Sequence, residues 1–509
     1  MVSAPWILPA AVQAAINNAA VGGTPRVGLV IGNSRYPDNP LKNPSNDATA
    51  IAESMSGFGF NVKLLIDAKL AEMSQAVSAY AERLAKDKAV GFFYYAGHGV
   101  QLAWRNFLIP VDANIAQLDD IPNKAFELNA LLSGLTKASN PMNIIVLDAC
   151  RDNPFGSRVL AQQKGLSQFD APPGSFLAYA TSPGNTASDG SGSNGLFTEN
   201  FLREMQKPEA RIEDVFKRVR LNVRLESKGQ QVPWESTSLE DDFYFVPRGR
   251  VEKESKEERE AKAAEERRLW DEAASSADPI ATEAYIKRYP SGVYSELAQG
   301  RLDKLLAGSG EKKVQTLNSA ANPYSKGSAS GLGKYAVGDS FTYVSKEPVS
   351  GAVLRKFTEL VTAVNDFSTT FDDGLKVLDL TGNEIKSPIP RFLTPAQFYP
   401  AEFVVGHKWK TKFGWRRSNG NADESVMELD FQVVERKSVT VSAGSFNAFR
   451  VVAKGYVVNG GSWQVAYQID PDKCARPISF EMIGRGRGGS YDQDSSRIEL
   501  TGFNQRTAG

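Results

Sequence analysis

The stretch VGFFYYAG, Val90 to Gly97, constrains the fold more than any other part of the chain. It is apolar or aromatic at nearly every position rather than at alternate ones, so as a strand it buries both faces. Such a strand belongs in the middle of a parallel sheet with helices above and below. The flanking sequence supplies both. RVGLVIG (26–32), NVKLLID (61–67), NIIVLDAC (143–150) and GSFLAYAT (174–181) read as further strands, and DDFYFVP (241–247) as a closing one. Between them, PSNDATAIAESMSGFGF, LAEMSQAVSAYAERLAK (70–86), FELNALLSGLTK, LFTENFLREMQK and RIEDVFKRVRLNVRLES carry apolar residues at helical spacing. Residues 25–248 are therefore expected to form an α/β domain, a mostly parallel sheet flanked by helices.

The pattern changes twice further on. Residues 251–274 mix both charges at helical spacing, which predicts an exposed helix. Two short amphipathic helices follow, hinged at Tyr289-Pro290-Ser291-Gly292, and resemble one tetratricopeptide-type helical hairpin. A single hairpin buries its faces poorly, so residues 251–307 are expected to pack on a neighbour, a protein partner included. Residues 308–333, rich in Ser, Gly, Asn and Lys, read as a flexible linker. From 334 to 504 the period is two, with Gly, Asn and Asp turns, predicting an all-β half-barrel or sandwich. Within it, SVTVSAGSFNAFRVV resembles a motif of bacterial periplasmic-type β domains, a likeness that carries no site.

Charge and rare residues exclude several functions. Lys+Arg and Asp+Glu are both 59, so no basic excess advertises nucleic acid. Two cysteines and two histidines build neither a disulfide framework nor a zinc finger, and free thiols are expected, with no metal or cofactor. No apolar run reaches about 18 residues, so no transmembrane segment is expected. The N-terminal MVSAPWILPAAVQAAINNAA is apolar, but its first basic residue is Arg26, so it lacks the basic start of an export signal. The cytoplasm and a bacterial envelope both stay open.

The chemistry gathers at two strand ends. In open parallel sheets, reactive groups collect beyond the strands' C-terminal edge. One expected strand runs into Gly97-His98-Gly99, and another into Asp148-Ala149-Cys150-Arg151-Asp152. If the two strands are neighbours, His98 and Cys150 meet. A thiol is mostly protonated at neutral pH, and a nearby imidazole can take its proton and later return one to a leaving amine. The N–H groups of Gly99 and Cys150 are candidates for holding the oxyanion.

These residues also carry a resemblance. YYAGHGVQ and LDACRDNP resemble the histidine and cysteine motifs of the caspase-like cysteine peptidases, nearest to bacterial metacaspases and paracaspases. The separation, roughly 50 residues, is that of caspases. RVGLVIGNSRYPDNPLKNPSNDA is similar to the family's first strand and loop. The resemblance implies a caspase–haemoglobinase fold over 25–247 and a dyad, with His98 as base and acid and Cys150 as nucleophile.

Caspases that cut after Asp carry glutamine two residues before the cysteine. Asp148 stands there in this chain, as in metacaspases and paracaspases, and a buried carboxylate favours a cationic partner. Cleavage after Arg or Lys is expected, with Asp189 as a second wall of the pocket and Ser182, Pro183 and Gly184 as a substrate-strand edge. Arg151 and Asp152 are expected to shape the catalytic loop. Arg158 and Lys164, in the loop after Cys150, are candidates for self-processing. Calcium activation occurs in some metacaspases, but no dense acidic cluster calls for it in this chain. The alternative functions are a silent caspase-like scaffold and a β domain that binds a ligand, glycan, lipid or partner.

Overall fold

The structure is a computed structural model. It describes residues 23–506 apart from 151–154, 156–164, 186–191, 247–254, 315, 317–320, 388–395, 417–423, 458–460 and 487–494. The apolar N-terminal segment lies outside these residues. The chain forms two compact units, one of residues 1–254 with 311–325 and one of 255–310 with 326–509.

In the first unit, β1 (Arg26–Gly32), β2 (Asn61–Ile66), β3 (Val90–Leu102), β6 (Met142–Cys150), β7 (Ser175–Tyr179) and β8 (Trp234–Thr237) lie in the order β2-β1-β3-β6-β7-β8. All pairs along this path are parallel except β7 with β8. β4 (Arg105–Leu108) folds back on β3, and β5 (Phe126–Glu127) pairs with β4. The helices are α1 (Pro44–Gly57), α2 (Leu70–Asp87), α3 (Ile121–Lys124), α4 (Leu128–Ala138), α5 (Leu196–Glu204) and α6 (Ile212–Glu226). On one face, Phe92, Tyr94, Ile144, Val146 and Phe176 pack against Ile51 of α1, Phe197 and Phe201 of α5 and Phe216 of α6. Phe92, Phe93, Tyr94 and Tyr95 are all fully buried, which is why VGFFYYAG has no polar position.

Two sequence expectations are corrected. The strand expected to end at Gly97 continues to Leu102, because a register shift between Ala96 and Gly99 absorbs the irregularity and the chain then pairs with β4. The closing strand is Trp234–Thr237 rather than DDFYFVP. The latter contributes only an isolated bridge from Tyr244 to Arg211. Its Phe243 and Phe245 rings, 5.1 Å apart and edge to face, are buried in the core of the helix-covered face instead.

The second unit begins with α7 (Lys256–Ser275), α8 (Pro279–Arg288) and α9 (Ser295–Gly308). Ser255 starts α7 with a capping box, its hydroxyl accepting from Glu258 N–H while the Glu258 carboxylate accepts from Ser255 N–H. Asp278 caps α8 at Ile280 N–H, next to Pro279. The neighbour this hairpin needs is the β region. Gln397 Oε1 accepts from the N–H groups of Glu296 and Leu297 at the start of α9. The Glu296 carboxylate accepts from Ala401 N–H and lies 3.2 Å from His407 Nε2.

Most of the β region is one antiparallel sheet of eleven strands among the described residues. Its first part is β10 (Ser340–Lys346), β11 (Val353–Val364), β12 (Ser368–Phe371), β13 (Lys376–Asp379) and β14 (Glu384–Lys386). Its second part is β16 (Lys408–Arg416), β17 (Glu424–Val441), β18 (Gly444–Val457), β19 (Ser462–Ile469), β20 (Ser479–Arg485) and β21 (Ser496–Asn504). The parts join where β10 pairs with β21. A separate pair is formed by β9 (Ser328–Ser330) and β15 (Glu402–Val404).

Candidate active site

His98 owes its position to the irregularity in β3. Ala96 lies opposite Asp148, but Gly99 lies opposite Cys150, so three steps on β3 match two on β6. The extra residue is accommodated at Gly97-His98. Two phenols close on this point. A methyl on Gly97 would come within 2.6 Å of the Tyr36 hydroxyl and 2.7 Å of the Tyr95 hydroxyl, so only glycine fits. The same hydroxyls hold the backbone: His98 N–H donates to Tyr36 at 3.0 Å, and the Tyr95 hydroxyl donates to the His98 carbonyl at 2.8 Å.

The imidazole is 1% exposed and leans on the Tyr36 ring with centroids 4.4 Å apart. Its Nε2 lies 2.8 Å from the Asn39 carbonyl. A carbonyl only accepts, so in the neutral ring the proton sits on Nε2 and the lone pair on Nδ1. The tautomer thus follows from geometry. No sequence pattern could show it, because the partner is a backbone oxygen.

On β6, Asp148 stands two residues before Cys150. Asp148 is 2% exposed, and its Oδ2 accepts from the Thr198 hydroxyl at 3.0 Å. Thr198 has one proton and gives it to the carboxylate, so the Tyr94 hydroxyl, 2.7 Å away, donates to Thr198. A second carboxylate stands nearby. Asp47, fully buried in the first turn of α1, accepts from Gly195 N–H at 2.9 Å and from the Asn194 side chain at 2.8 Å. A methyl on Gly195 would lie 3.2 Å from Asp47 Oδ2 and 3.7 Å from Asp148 Oδ2. The two Oδ2 atoms thus converge on one small notch that a glycine leaves open. The sequence reading missed Asp47, because an acidic residue in a first helical turn reads as a complement to the helix dipole.

The remaining candidates divide. Gly99 sits beside Cys150, and a methyl there would meet Ala149 O at 2.8 Å and Leu166 Cδ2 at 3.0 Å. Ser182 is buried, its hydroxyl donating to the Val232 carbonyl and its own carbonyl accepting from Asn185 N–H, so its side chain faces the interior. Asp189, Arg151, Asp152, Arg158 and Lys164 lie outside the described residues. The other cysteine, Cys474, is a free buried thiol of the second unit, pushed up to about 11 by burial.

The first unit, a mostly parallel sheet flanked by helices, has the caspase fold. Residues 25–244 match the family described as the caspase domain, peptidase family C14, and this part of the chain is a caspase domain. The human mucosa-associated lymphoid tissue lymphoma translocation protein 1 and its mouse homolog are each 34% identical to it over 133 residues, which is 25% of this chain and 15% of the relative. The chain thus spans about 15% of the length of these curated relatives. A crystal structure of caspase-1 from Spodoptera frugiperda is 14% identical, covers 45% of this chain and 93% of that chain, and superposes with a TM-score of 0.35.

Proposed function

We propose that the caspase domain is an Arg/Lys-directed cysteine endopeptidase. The observation that carries this reading is the register of Gly99 opposite Cys150, which puts the imidazole-bearing residue next to the thiol-bearing one. His98 Nδ1, left with its lone pair by the Asn39 carbonyl, takes the Cys150 thiol proton. The thiolate then attacks the scissile carbonyl carbon, with the N–H groups of Gly99 and Cys150 holding the oxyanion. Collapse breaks the C–N bond, and His98 returns the proton to the leaving amine. In the second half His98 takes a proton from water, hydroxide attacks the thioester, and the thiol re-forms.

Specificity for a cation follows from burying two carboxylates around Gly195. Their Oδ2 atoms converge beside Gly195, and a substrate guanidinium or ammonium would pair with them there. Self-processing at Arg158 or Lys164 belongs to the same reading, since both are basic and follow Cys150. The substrates are accordingly proteins or peptides with exposed Arg or Lys. No helix among the described residues is long and apolar enough to cross a membrane.

The test is hydrolysis of fluorogenic peptides ending in Arg or Lys by the wild type and by Cys150→Ala. Loss of turnover on the order of 10³-fold or more is expected in the variant. Equal rates in the two proteins would sink the assignment.

A further inference from the structure

Residues 321–325, in the stretch that composition reads as linker, lie on the first unit against residues 168–170. The Asn322 side-chain amide donates to the Gln168 carbonyl at 2.7 Å, and Asp170 N–H donates to the Tyr324 carbonyl at 3.0 Å. The Ser325 hydroxyl donates to Asp170 Oδ1 at 2.8 Å. Between these bonds the Tyr324 ring stacks on Phe169, with centroids 4.6 Å apart and planes at 5°. Asn322 Oδ1 also accepts from Tyr324 N–H at 3.0 Å and so fixes the bend that presents the ring. Gln168 and Phe169 are almost fully buried.

The clamped segment leads to the catalytic strands. Ser167 N–H donates to Asn106 Oδ1 at 2.7 Å, and the Asn106 amide returns a bond to the Ser167 carbonyl at 2.9 Å. The Ser167 hydroxyl donates to the Trp104 carbonyl at 2.6 Å. Trp104 and Ala103 form the tip joining β3 to β4, with φ of 66° and 49°, conformations that non-glycine residues hold only when their surroundings impose them. One residue before Ser167, Leu166 abuts the Gly99 position. β4 closes the path, since Ile109, which follows it, donates its N–H to the His98 carbonyl at 3.0 Å.

We infer that Asn322 and Tyr324 are positioning residues: they fasten residues 166–170, which in turn hold the β3–β4 tip and the Gly99–Cys150 register on which turnover depends. A segment about 170 positions downstream of the nucleophile thereby becomes part of the working domain. The catalytic part of this inference rests on the peptidase reading; the clamp itself does not.

The experiment uses the full chain with Tyr324→Ala, Tyr324→Phe and the milder Asn322→Ala. With an Arg-terminated fluorogenic peptide, Tyr324→Ala is expected to lower kcat at least tenfold with little change in KM, while Tyr324→Phe, which keeps the stack, retains wild-type kcat. Hydrogen exchange read on the same proteins should show lost protection at Ser167, Asp170 and residues 99–108 in Tyr324→Ala and, more weakly, in Asn322→Ala, but not in Tyr324→Phe. Unchanged exchange in both alanine variants overturns the clamp whether or not the wild type cleaves peptide. Altered exchange with wild-type kcat overturns the positioning role. A wild type that turns over no peptide overturns the peptidase reading and the positioning role with it, and leaves the clamp to the exchange data.

Discussion

Both units bury acidic side chains, and they do so in different surroundings. In the caspase domain, Asp47 and Asp148 bring two buried carboxyl groups to one notch at Gly195. In the second unit, Glu359 of β11 is buried between Arg476, which donates to it at 3.0 Å, and Lys376 of β13. Burial pushes the Glu359 carboxyl up, but Arg476 and Lys376 outweigh it and hold it at about 2. The tyrosines around this pair spend their hydroxyls on backbone carbonyls, Tyr335 on Ala475 and Tyr343 on Pro477. A buried charge is tolerable only with a partner. The second centre carries its partners within the fold and is read as a pin between strands. The first gathers two acidic side chains at a point that glycine keeps open, where the proposed function seats a cationic substrate side chain. Burial alone would not separate the two; the side chains described beside each carboxyl do.

Four results would break or sharpen this contrast. His98→Ala is expected to cut kcat/KM for an Arg peptide by about 10²–10⁴-fold, the usual worth of a general base, and to leave the melting of the second unit unchanged. Glu359→Gln leaves Arg476 and Lys376 buried without their carboxylate. It should destabilise the second unit by about 3–5 kcal/mol in urea unfolding while peptide cleavage by the first continues. Impaired cleavage in that variant would mean the two centres are not separate in function.

Acid should act on the second centre in a defined window. The folded pKa of Glu359 is depressed, so its contribution is complete above pH 4.5 and is lost as pH falls toward 2. The loss amounts to about 3 kcal/mol, visible as a falling melting temperature of the second unit, and Glu359→Gln should show less of it. The smallest expected effect is that of Asp47→Asn, which should weaken the preference for Arg over a neutral residue by about 2 kcal/mol, read as a ratio of kcat/KM values.

Much of the first unit was legible in the sequence because its signals are local. Continuous apolar strands announced the parallel sheet, and VGFFYYAG and NIIVLDAC announced the neighbouring strands that carry His98 and Cys150. What escaped depends on contacts distant in sequence. The irregularity at Gly97-His98 is a difference in count between two strands, and neither strand carries it alone. DDFYFVP has the composition of a strand, yet its phenylalanines find a better place in the core. Asp47 is separated from Asp148 by roughly 100 residues and meets it only through Gly195. Residues 321–325 have a linker's composition, and their anchoring falls to one aromatic ring and a few backbone and side-chain hydrogen bonds.

The contrast is tested most directly by one ratio. Matched fluorogenic peptides ending in arginine or in citrulline, which keeps the shape and removes the charge, are compared in the wild type and in Asp148→Asn. The account predicts that the wild type favours arginine by roughly 30-fold or more and that Asp148→Asn brings the two peptides close together. Equal cleavage of both peptides by the wild type, or an undiminished preference in the variant, would contradict it.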